Sequence, residues 1–341
     1  MKLPIFLLLL ITIFSSCSKE SKIDKIFADY SGKNPGASAM VIKDGKLIIN
    51  QSFGMANVDE DIAITPTTNF RLASVTKQFT SMSIMLLVQD KKINLNDKLT
   101  DIFPDFPKYG ETIKIRHLLQ HTSGLIDYED LILDSTTEQV HDYDILEMMK
   151  SVDSTYFESG TQHRYSNSAY AVLVMIIEQL SAQSFPEFLY SRIFLPLGMT
   201  NSIAFIDGKN KVENRAFGYH LENDSIKFSD QSITSAVLGD GGIYSSVVDL
   251  YKWDQALYTE ELLSNELFNE YVRPGIGGYG FGWRIDKFQE HYRMSHTGST
   301  CGFRNVIQRY PEDKLTVIIL TNRREPGIEN LADDIAKMYL Y

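Results

Sequence analysis

The chain has 341 residues, of which 43% are hydrophobic and 23% are charged, with 21 Gly and 10 Pro. This composition is typical of a folded globular protein and excludes a disordered, collagen-like or low-complexity chain. A formal net charge of −11 argues against nucleic acid as the partner, because a general nucleic-acid binder needs a basic surface. Two cysteines, Cys17 and Cys301, are too few for a disulfide framework.

The first segment has the pattern of an export signal. Residues 3–14 are almost wholly apolar and follow Lys2, a run too short to span a bilayer but suited to a signal peptide. Small residues directly before Cys17 resemble a bacterial lipoprotein cleavage site. We therefore predict a lipoprotein-type signal peptide over 1–16, with Cys17 lipidated and the exported protein tethered to a membrane of the bacterial cell envelope, facing the periplasm or exterior. A plain signal peptide and an uncleaved anchor are the alternatives.

The next segments predict two strands and two helices. Ala37–Lys43 and Lys46–Phe53 are β-rich and flank Asp44-Gly45, a strong hairpin turn. Apolar residues recur at helical spacing over 74–90 and again over 169–180, and each run is long enough for a buried helix.

The last third of the chain predicts a helix, several strands and a closing helix. Ser246-x-x-Asp249 is typical of a capping box, and a helix over 326–339 would begin at a proline. Between them, strands are predicted over 279–285, 291–295, 303–310 and 315–321. We therefore predict an α/β fold with an antiparallel sheet formed by both chain ends and flanking helices (17–95 and 240–341), plus an inserted, mostly helical domain (96–239).

Several common site motifs are absent or out of context. There is no Gly-x-Ser-x-Gly, His-Glu-x-x-His or Gly-x-x-x-x-Gly-Lys string. Gly275-x-Gly277-x-x-Gly280 matches a dinucleotide-binding string, but Pro274 precedes it and a strand-like segment follows, so we interpret it as a turn. The His residues show no pair at metal-ligand spacing beside a carboxylate or thiolate, and we predict no metal and no cofactor.

Ser74-Val75-Thr76-Lys77 has the spacing of a nucleophile and its base. On a helix, residues three apart share one face, so Lys77 can reach the Ser74 hydroxyl. A lysine acts as a base only when neutral, and burial at a helix N-terminus lowers its pKa. The same terminus directs free backbone N–H groups at a developing oxyanion. The alternative is a helix cap with a solvated lysine.

Two further short motifs carry polar groups suited to the same chemistry. In Tyr165-Ser166-Asn167, the phenol can relay protons and the amide can bind substrate or hold the lysine; a helix cap beside a packed aromatic is the alternative. In His296-Thr297-Gly298-Ser299, Gly298 lets an acyl group approach the backbone, and the Ser299 N–H can serve as the second oxyanion donor. A polar strand end is the alternative there.

The three motifs follow one another at intervals of 91 and 131 residues. In this order they resemble those of the serine β-lactamase and penicillin-binding-protein superfamily, in the branch of class C β-lactamases, D,D-carboxypeptidases and esterases. The resemblance covers roughly residues 30–340. It includes the segments NFRLASVTKQFTSM, IRHLLQHTSGL, GDGGIYSSVVDLYKW, YGFGW and HTGSTCGFRNVIQRYP.

The resemblance implies a fold and a set of roles. The fold implied is a sheet domain from both termini beside a helical domain, with the site between them. Ser74 would be acylated, Lys77 with Tyr165 would move protons, and the N–H groups of Ser74 and Ser299 would bind the oxyanion. Asn167, Thr297 and Gly298 would contact substrate. His296 stands where many β-lactamases have lysine, and a partly charged histidine anchors a substrate carboxylate less firmly.

The function predicted is serine hydrolysis through an acyl-enzyme on Ser74. The substrate would be a small ester, a D-amino-acid peptide or a β-lactam. A catalytically idle protein that binds cell-wall peptides is the main alternative, and a lipid-anchored structural protein of the envelope is another. Neither alternative gives a chemical reason for Ser74, Lys77, Tyr165 and His296 to be present together.

Overall fold

The computed structural model describes residue 19 and residues 21–223, 225–325 and 327–341. The predicted signal peptide, the lipidation site Cys17 and Pro326 lie outside the described residues. The strands are β1 (Ala37–Lys43), β2 (Lys46–Phe53), β3 (Met55–Asn57), β4 (Ile62–Ala63), β5 (Phe70–Arg71), β6 (Ile203–Ala204), β7 (Tyr219–Glu222), β8 (Ser225–Phe228), β9 (Ile243–Ser245), β10 (Arg284–Phe288), β11 (His291–Thr300), β12 (Phe303–Tyr310) and β13 (Leu315–Thr321).

The α-helices named here are α1 (Lys77–Gln89), α2 (Leu99–Ile102), α3 (Ile115–Leu119), α4 (Asp142–Ser151), α5 (Asn167–Ser181), α6 (Phe185–Leu189), α7 (Leu238–Gly241), α8 (Val247–Ala256), α9 (Asn265–Tyr271) and α10 (Glu329–Leu340). None of the helices in the described part of the chain is long and apolar enough to cross a membrane.

A six-stranded antiparallel sheet joins the two ends of the chain. Its strand order is β10-β11-β12-β13-β1-β2, so the first strand of the chain lies between β13 and β2. Ala37 pairs with Thr321 and Lys43 pairs with Leu315, which lie 284 and 272 residues further along the chain. The predicted sheet from both chain ends is therefore confirmed.

Alternate residues of the central strands face two different cores, as the two-residue period of a strand requires. Met40 and Ile318 belong to the larger apolar cluster, which continues into the helical region. Val41 and Ile319 belong to a smaller cluster that is closed by α10. On the first face, Arg309 of β12 donates to Asp254 of α8 at 2.6 Å, and this buried ion pair fixes α8 against the sheet.

The strand predicted over 279–285 is wrong. Tyr279, Phe281 and Trp283 are buried, but they lie in an irregular segment, and β10 begins only at Arg284. At Gly282 (φ +76°) the chain passes so close to α1 that a Cβ would lie 2.6 Å from the Lys77 carbonyl oxygen. The aromatic residues were mistaken for a strand because tertiary packing, rather than strand pairing, buries them.

The other predicted elements are found with small differences. β11 continues to Thr300 instead of ending at residue 295, because the segment around Gly298 keeps its ladder with β12. The predicted helix over 74–90 opens with a 3₁₀ turn (Ala73–Thr76) before α1, and the closing helix begins at Glu329. The glycine string lies in a turn, as interpreted.

The helix predicted at Ser246 forms, but its capping box is only half made. The Ser246 hydroxyl accepts from the Asp249 N–H, which caps α8. The Asp249 carboxylate does not return to the cap; it accepts from the Asn201 N–H at 2.7 Å and the Ser202 hydroxyl at 2.9 Å. A tertiary contact therefore replaces the predicted local one. The division of the chain at residues 95 and 240 stays a prediction.

Candidate active site

Ser74 lies on a tight turn between β5 and α1. Ala73 adopts φ +50°, a left-handed conformation that costs a non-glycine residue about 1–2 kcal/mol. Backbone strain of this kind is concentrated at functional sites. The turn leaves Ser74 half-buried while its neighbours Val75 and Lys77 are fully buried. The Ser74 N–H belongs to the first turn, where the helix itself offers no acceptor.

The Lys77 ammonium is enclosed beside the Ser74 hydroxyl. Its Nζ lies 3.2 Å from Ser74 Oγ, 2.9 Å from Asn167 Oδ1 and 2.9 Å from the backbone oxygen of Asp240. Burial lowers the pKa of Lys77 to about 8, and the Asp240 carboxylate opposes that shift. A useful fraction of Lys77 is therefore neutral near physiological pH and able to accept a proton.

Tyr165 lies over the same lysine. Its ring centroid is 4.9 Å from Lys77 Nζ, and its buried hydroxyl lies near that of Ser74 without a hydrogen bond of normal geometry to any described residue. Burial raises the pKa of Tyr165 well above its usual value, which the Ser74 hydroxyl offsets in part. The phenol is therefore protonated at neutral pH and can donate.

Strand β11 packs against the turn that carries Ser74. A Cβ at Gly298 would lie 2.0 Å from the Leu72 carbonyl oxygen, so only glycine permits this approach. Ser299, the next residue, is exposed and lines a recess of about 70 Å³ together with Ser74 and Asn167. Three motifs that are far apart in the sequence therefore meet at one recess.

His296 and Thr297 lie on β11, next to Gly298. His296 is fully buried, its Nε2 lies 2.8 Å from the Tyr279 hydroxyl and its Nδ1 lies 2.7 Å from the Thr297 carbonyl oxygen. Since a carbonyl only accepts, Nδ1 carries the proton and Nε2 accepts from Tyr279. Burial, with the nearby charge of Lys77, lowers the pKa of His296 to about 3. The sequence left a cationic histidine open, and the structure favours a neutral one.

Acidic residues that the sequence did not single out face Lys77. The Asp240 carboxylate is buried and accepts from the Tyr128 hydroxyl at 3.1 Å, and burial raises its pKa. Glu129 lines the recess, and its carboxylate is held by the side chain of Asn167. Nothing in the local sequence identifies these contacts, because they join residues more than 30 positions apart.

Arg284 is a further residue near the site that the sequence did not reveal. It is exposed at the start of β10, and its guanidinium carbon lies 5.8 Å from the Tyr165 ring centroid. Within the described part of the chain, no carboxylate pairs with Arg284, whereas Arg293 on the neighbouring strand pairs with two. Arg284 is therefore a cation at the site that is free to meet an anionic group.

No group of three or more His, Cys, Asp or Glu in the described residues is arranged to hold a metal ion. The half-buried Cys301 lies in the β11–β12 hairpin, one residue beyond the strand.

The Beta-lactamase family model matches residues 23–338. The chain belongs to the Beta-lactamase family. It is 32% identical over 331 residues to Penicillin-binding protein 4* of Bacillus subtilis, which covers 90% of this chain and 73% of that protein. It is 27% identical over 333 residues to Protein flp of Staphylococcus aureus, covering 93% of this chain and 66% of that protein.

A solved structure shares the fold over nearly the whole chain. The octameric penicillin-binding protein homologue from Pyrococcus abyssi superposes with a TM-score of 0.83 at 28% identity, covering 95% of this chain and 77% of that one. The chain is thus a β-lactamase-family protein of the serine-hydrolase and penicillin-binding-protein type, and it spans 66–77% of the length of these relatives.

Proposed function

We propose that this chain is a serine hydrolase that forms an acyl-enzyme on Ser74. The observation that carries the proposal is the position of Lys77, whose buried Nζ lies 3.2 Å from the half-exposed Ser74 hydroxyl. A serine hydroxyl is a weak nucleophile until a neighbouring base takes its proton. The lowered pKa of Lys77 makes that base available near neutral pH.

The proposed mechanism follows from the two pKa directions. Tyr165 is held in its protonated form, so Lys77 and not a tyrosinate takes the proton as Ser74 Oγ attacks the carbonyl carbon. Tyr165 then passes a proton between Lys77 and the leaving group, whose bond to the carbonyl carbon breaks. In deacylation, water attacks the acyl carbon as Lys77 and Tyr165 take its proton. The bond from that carbon to Ser74 Oγ then breaks, Oγ regains the proton and the acid is released.

The backbone groups and the polar side chains complete the proposed site. The N–H groups of Ser74 and Ser299 would stabilise the oxyanion, since both belong to residues that line the recess. Asn167, Thr297 and Gly298 would contact the substrate. Neutral His296 would hold Tyr279 and the β11 backbone in place rather than bind an anion.

We propose a substrate that carries a carboxylate near its scissile bond. Among the predicted classes, D-amino-acid peptides and β-lactams carry such a group and a simple ester does not. His296 is neutral, so it cannot take the ionic role of lysine in the third motif. Arg284 supplies a permanent charge 5.8 Å from the centroid of the Tyr165 ring, and a guanidinium binds a carboxylate through two hydrogen bonds.

Active-site labelling tests the proposal. The domain from residue 19 onward is incubated with a fluorophosphonate, and the intact mass is followed for this protein and for Ser74→Ala. We expect one adduct per chain, and none in Ser74→Ala at an unchanged melting temperature. An adduct that forms equally fast in Ser74→Ala would contradict the mechanism. A folded protein that neither labels nor turns over an ester would favour the idle binding protein.

The lipid anchor is a separate proposal, supported by the sequence before Cys17 alone. Expression of the full chain in a bacterium with labelled palmitate tests it. We expect label in the full chain and none in Cys17→Ala, and equal labelling of both would refute lipidation at this cysteine.

A further inference from the structure

His121 contacts Tyr165 of the proposed proton relay and takes part in none of its proton transfers. It is fully buried between α3 and the loop that carries Tyr165, with φ +56°. Its ring centroid lies 4.2 Å from that of Tyr165 at an angle of 37°, so the two rings are in direct, tilted contact.

The backbone of the Tyr165 loop is bonded to His121 on both sides of the tyrosine. The Arg164 N–H donates to the His121 carbonyl oxygen at 2.9 Å. The Ser166 N–H donates to His121 Nδ1 at 3.0 Å. One residue therefore holds the amide before Tyr165, the amide after it and the face of its ring.

This arrangement requires a neutral imidazole. Nδ1 accepts from Ser166, so it carries no proton, and the proton of the neutral ring is on Nε2. Burial and the nearby charge of Lys77 place the pKa of His121 well below its usual value. Nε2 has no hydrogen-bond partner among the described residues.

The unpartnered Nε2 argues against a role in stability alone. A buried N–H without an acceptor costs free energy, so stability by itself would favour an apolar side chain on that edge of the ring. The hydrogen bond at Nδ1 and the one at the His121 carbonyl oxygen both come from the Tyr165 loop. We infer that His121 is a positioning residue that fixes the Tyr165 phenol over Ser74 and Lys77.

The inference rests on the proposed function, because it gives His121 its effect through Tyr165. Displacement of a reacting group by about 1 Å can cost on the order of 100-fold in rate. His121→Ala removes the ring and the acceptor for the Ser166 N–H. His121→Asn keeps an oxygen acceptor at the same distance from the backbone, and asparagine tolerates the left-handed conformation better than other side chains.

The test measures the rate of fluorophosphonate labelling of Ser74 in His121→Ala, His121→Asn and Tyr165→Phe, and in the double variant His121→Ala/Tyr165→Phe. We expect His121→Ala to slow labelling about 10- to 100-fold and His121→Asn to recover most of that rate. In the Tyr165→Phe background, His121→Ala should cause no further loss.

The neighbouring His163 gives a matched control. Its ring centroid lies 6.0 Å from that of His121 and its Nε2 is also unpartnered, but its ring forms no bond to the amides that flank Tyr165 in the described structure. His163→Asn should label at close to the unmodified rate. Melting temperatures of all variants report folding.

Equal slowing by His121→Ala with and without Tyr165→Phe would overturn the inference, and so would His121→Asn that folds but labels as slowly as His121→Ala. If His121→Ala does not fold, the reference is the unmodified protein, and folded His121→Asn that labels about 10- to 100-fold more slowly than it would overturn the inference. Failure of the proposed function would show itself differently, as absence of labelling at Ser74 in the unmodified protein.

Discussion

Lys77 makes the proposed chemistry depend on pH in a defined direction. Its pKa is lowered from 10.5 to about 8, and only the deprotonated amine accepts the Ser74 proton. The labelling rate should therefore rise with pH and level off above about pH 8. At pH 6 the neutral fraction is roughly 1%, so the rate should be about 100-fold below the plateau. Fluorophosphonate labelling between pH 6 and 9, corrected with Ser74→Ala, measures this profile.

The permanently charged Lys77→Arg provides the second arm of that experiment. It should label at least about 100-fold more slowly at every pH, since a guanidinium cannot act as the base. Lys92→Arg, the same change at an exposed lysine, is the control. A flat profile across this range, or an active Lys77→Arg, would show that Lys77 is not the base.

Arg284 predicts a preference for anionic substrates. A charged hydrogen bond contributes about 1.5–3 kcal/mol, which corresponds to about 10- to 100-fold in kcat/KM. Arg284→Gln should slow hydrolysis of an acyl-D-alanyl-D-lactate with a free carboxylate by that factor and leave its methyl ester nearly unaffected. The exposed Arg273, which pairs with Glu270, gives the control Arg273→Gln. Equal slowing of both substrates by Arg284→Gln would refute the carboxylate contact.

The sequence predicted contacts within one helical turn and missed those made by folding. The spacing of Ser74 and Lys77 was enough to bring Oγ and Nζ together, since helical geometry determines it. Nothing in the local sequence indicates that His121 contacts Tyr165. It also does not indicate that Arg284 lies near Tyr165 without a carboxylate partner, because these residues meet only through tertiary packing. The sequence also did not predict that His296 is neutral, since burial determines its protonation state.

At the scale of elements, the close packing of β11 against the Ser74 turn is set by one glycine. Gly298→Ala would place a methyl group 2.0 Å from the Leu72 carbonyl oxygen, which belongs to backbone and cannot move away cheaply. The strand should shift from Ser74, displace the Ser299 N–H and slow labelling by on the order of 100-fold. The melting temperature should fall as well.

Gly208→Ala is the matched change for this prediction. Its Cβ would meet nothing within 4 Å, although its φ of +71° adds a conformational cost of about 1–2 kcal/mol. We therefore expect some loss of stability and no loss of labelling rate. If Gly298→Ala labelled as fast as Gly208→Ala, the approach of β11 would not matter to the site.

Strand prediction succeeded where the pattern of a strand is local. β1, β2, β12 and β13 lie at their predicted residues, because each is a β-rich run ended by a turn or by polar residues. The prediction failed at 279–285, where buried aromatic residues pack beside α1 without pairing as a strand. The predicted end of β11 was also too early. The polar residues and the glycine after residue 295 lack a strand pattern, although the pairing with β12 continues to Thr300.

At the scale of the whole molecule, the sheet and the helical region share one apolar core. The larger cluster contains Ile318 of the sheet, Phe79 and Trp253 of the helices beside it, and Val172 of α5 in the inserted region. The segment α7 joins the two parts again, since its Asp240 carbonyl oxygen accepts from Lys77 while Asp142 of α4 accepts from its N–H groups. Shared packing of this kind opposes independent unfolding of either part.

We therefore predict a single unfolding transition in urea. Both tryptophans, Trp253 and Trp283, lie outside the inserted region, so their fluorescence reports the sheet side, whereas hydrogen exchange in α5 reports the helical side. The two midpoints should coincide, because loss of either part exposes the core of the other. A fluorescence midpoint that differs from the exchange midpoint would mean that the predicted divisions at residues 95 and 240 separate two units that unfold independently. In that case the recess at Ser74, which takes side chains from both units, would be lost in the first transition, and fluorophosphonate labelling would disappear before the second.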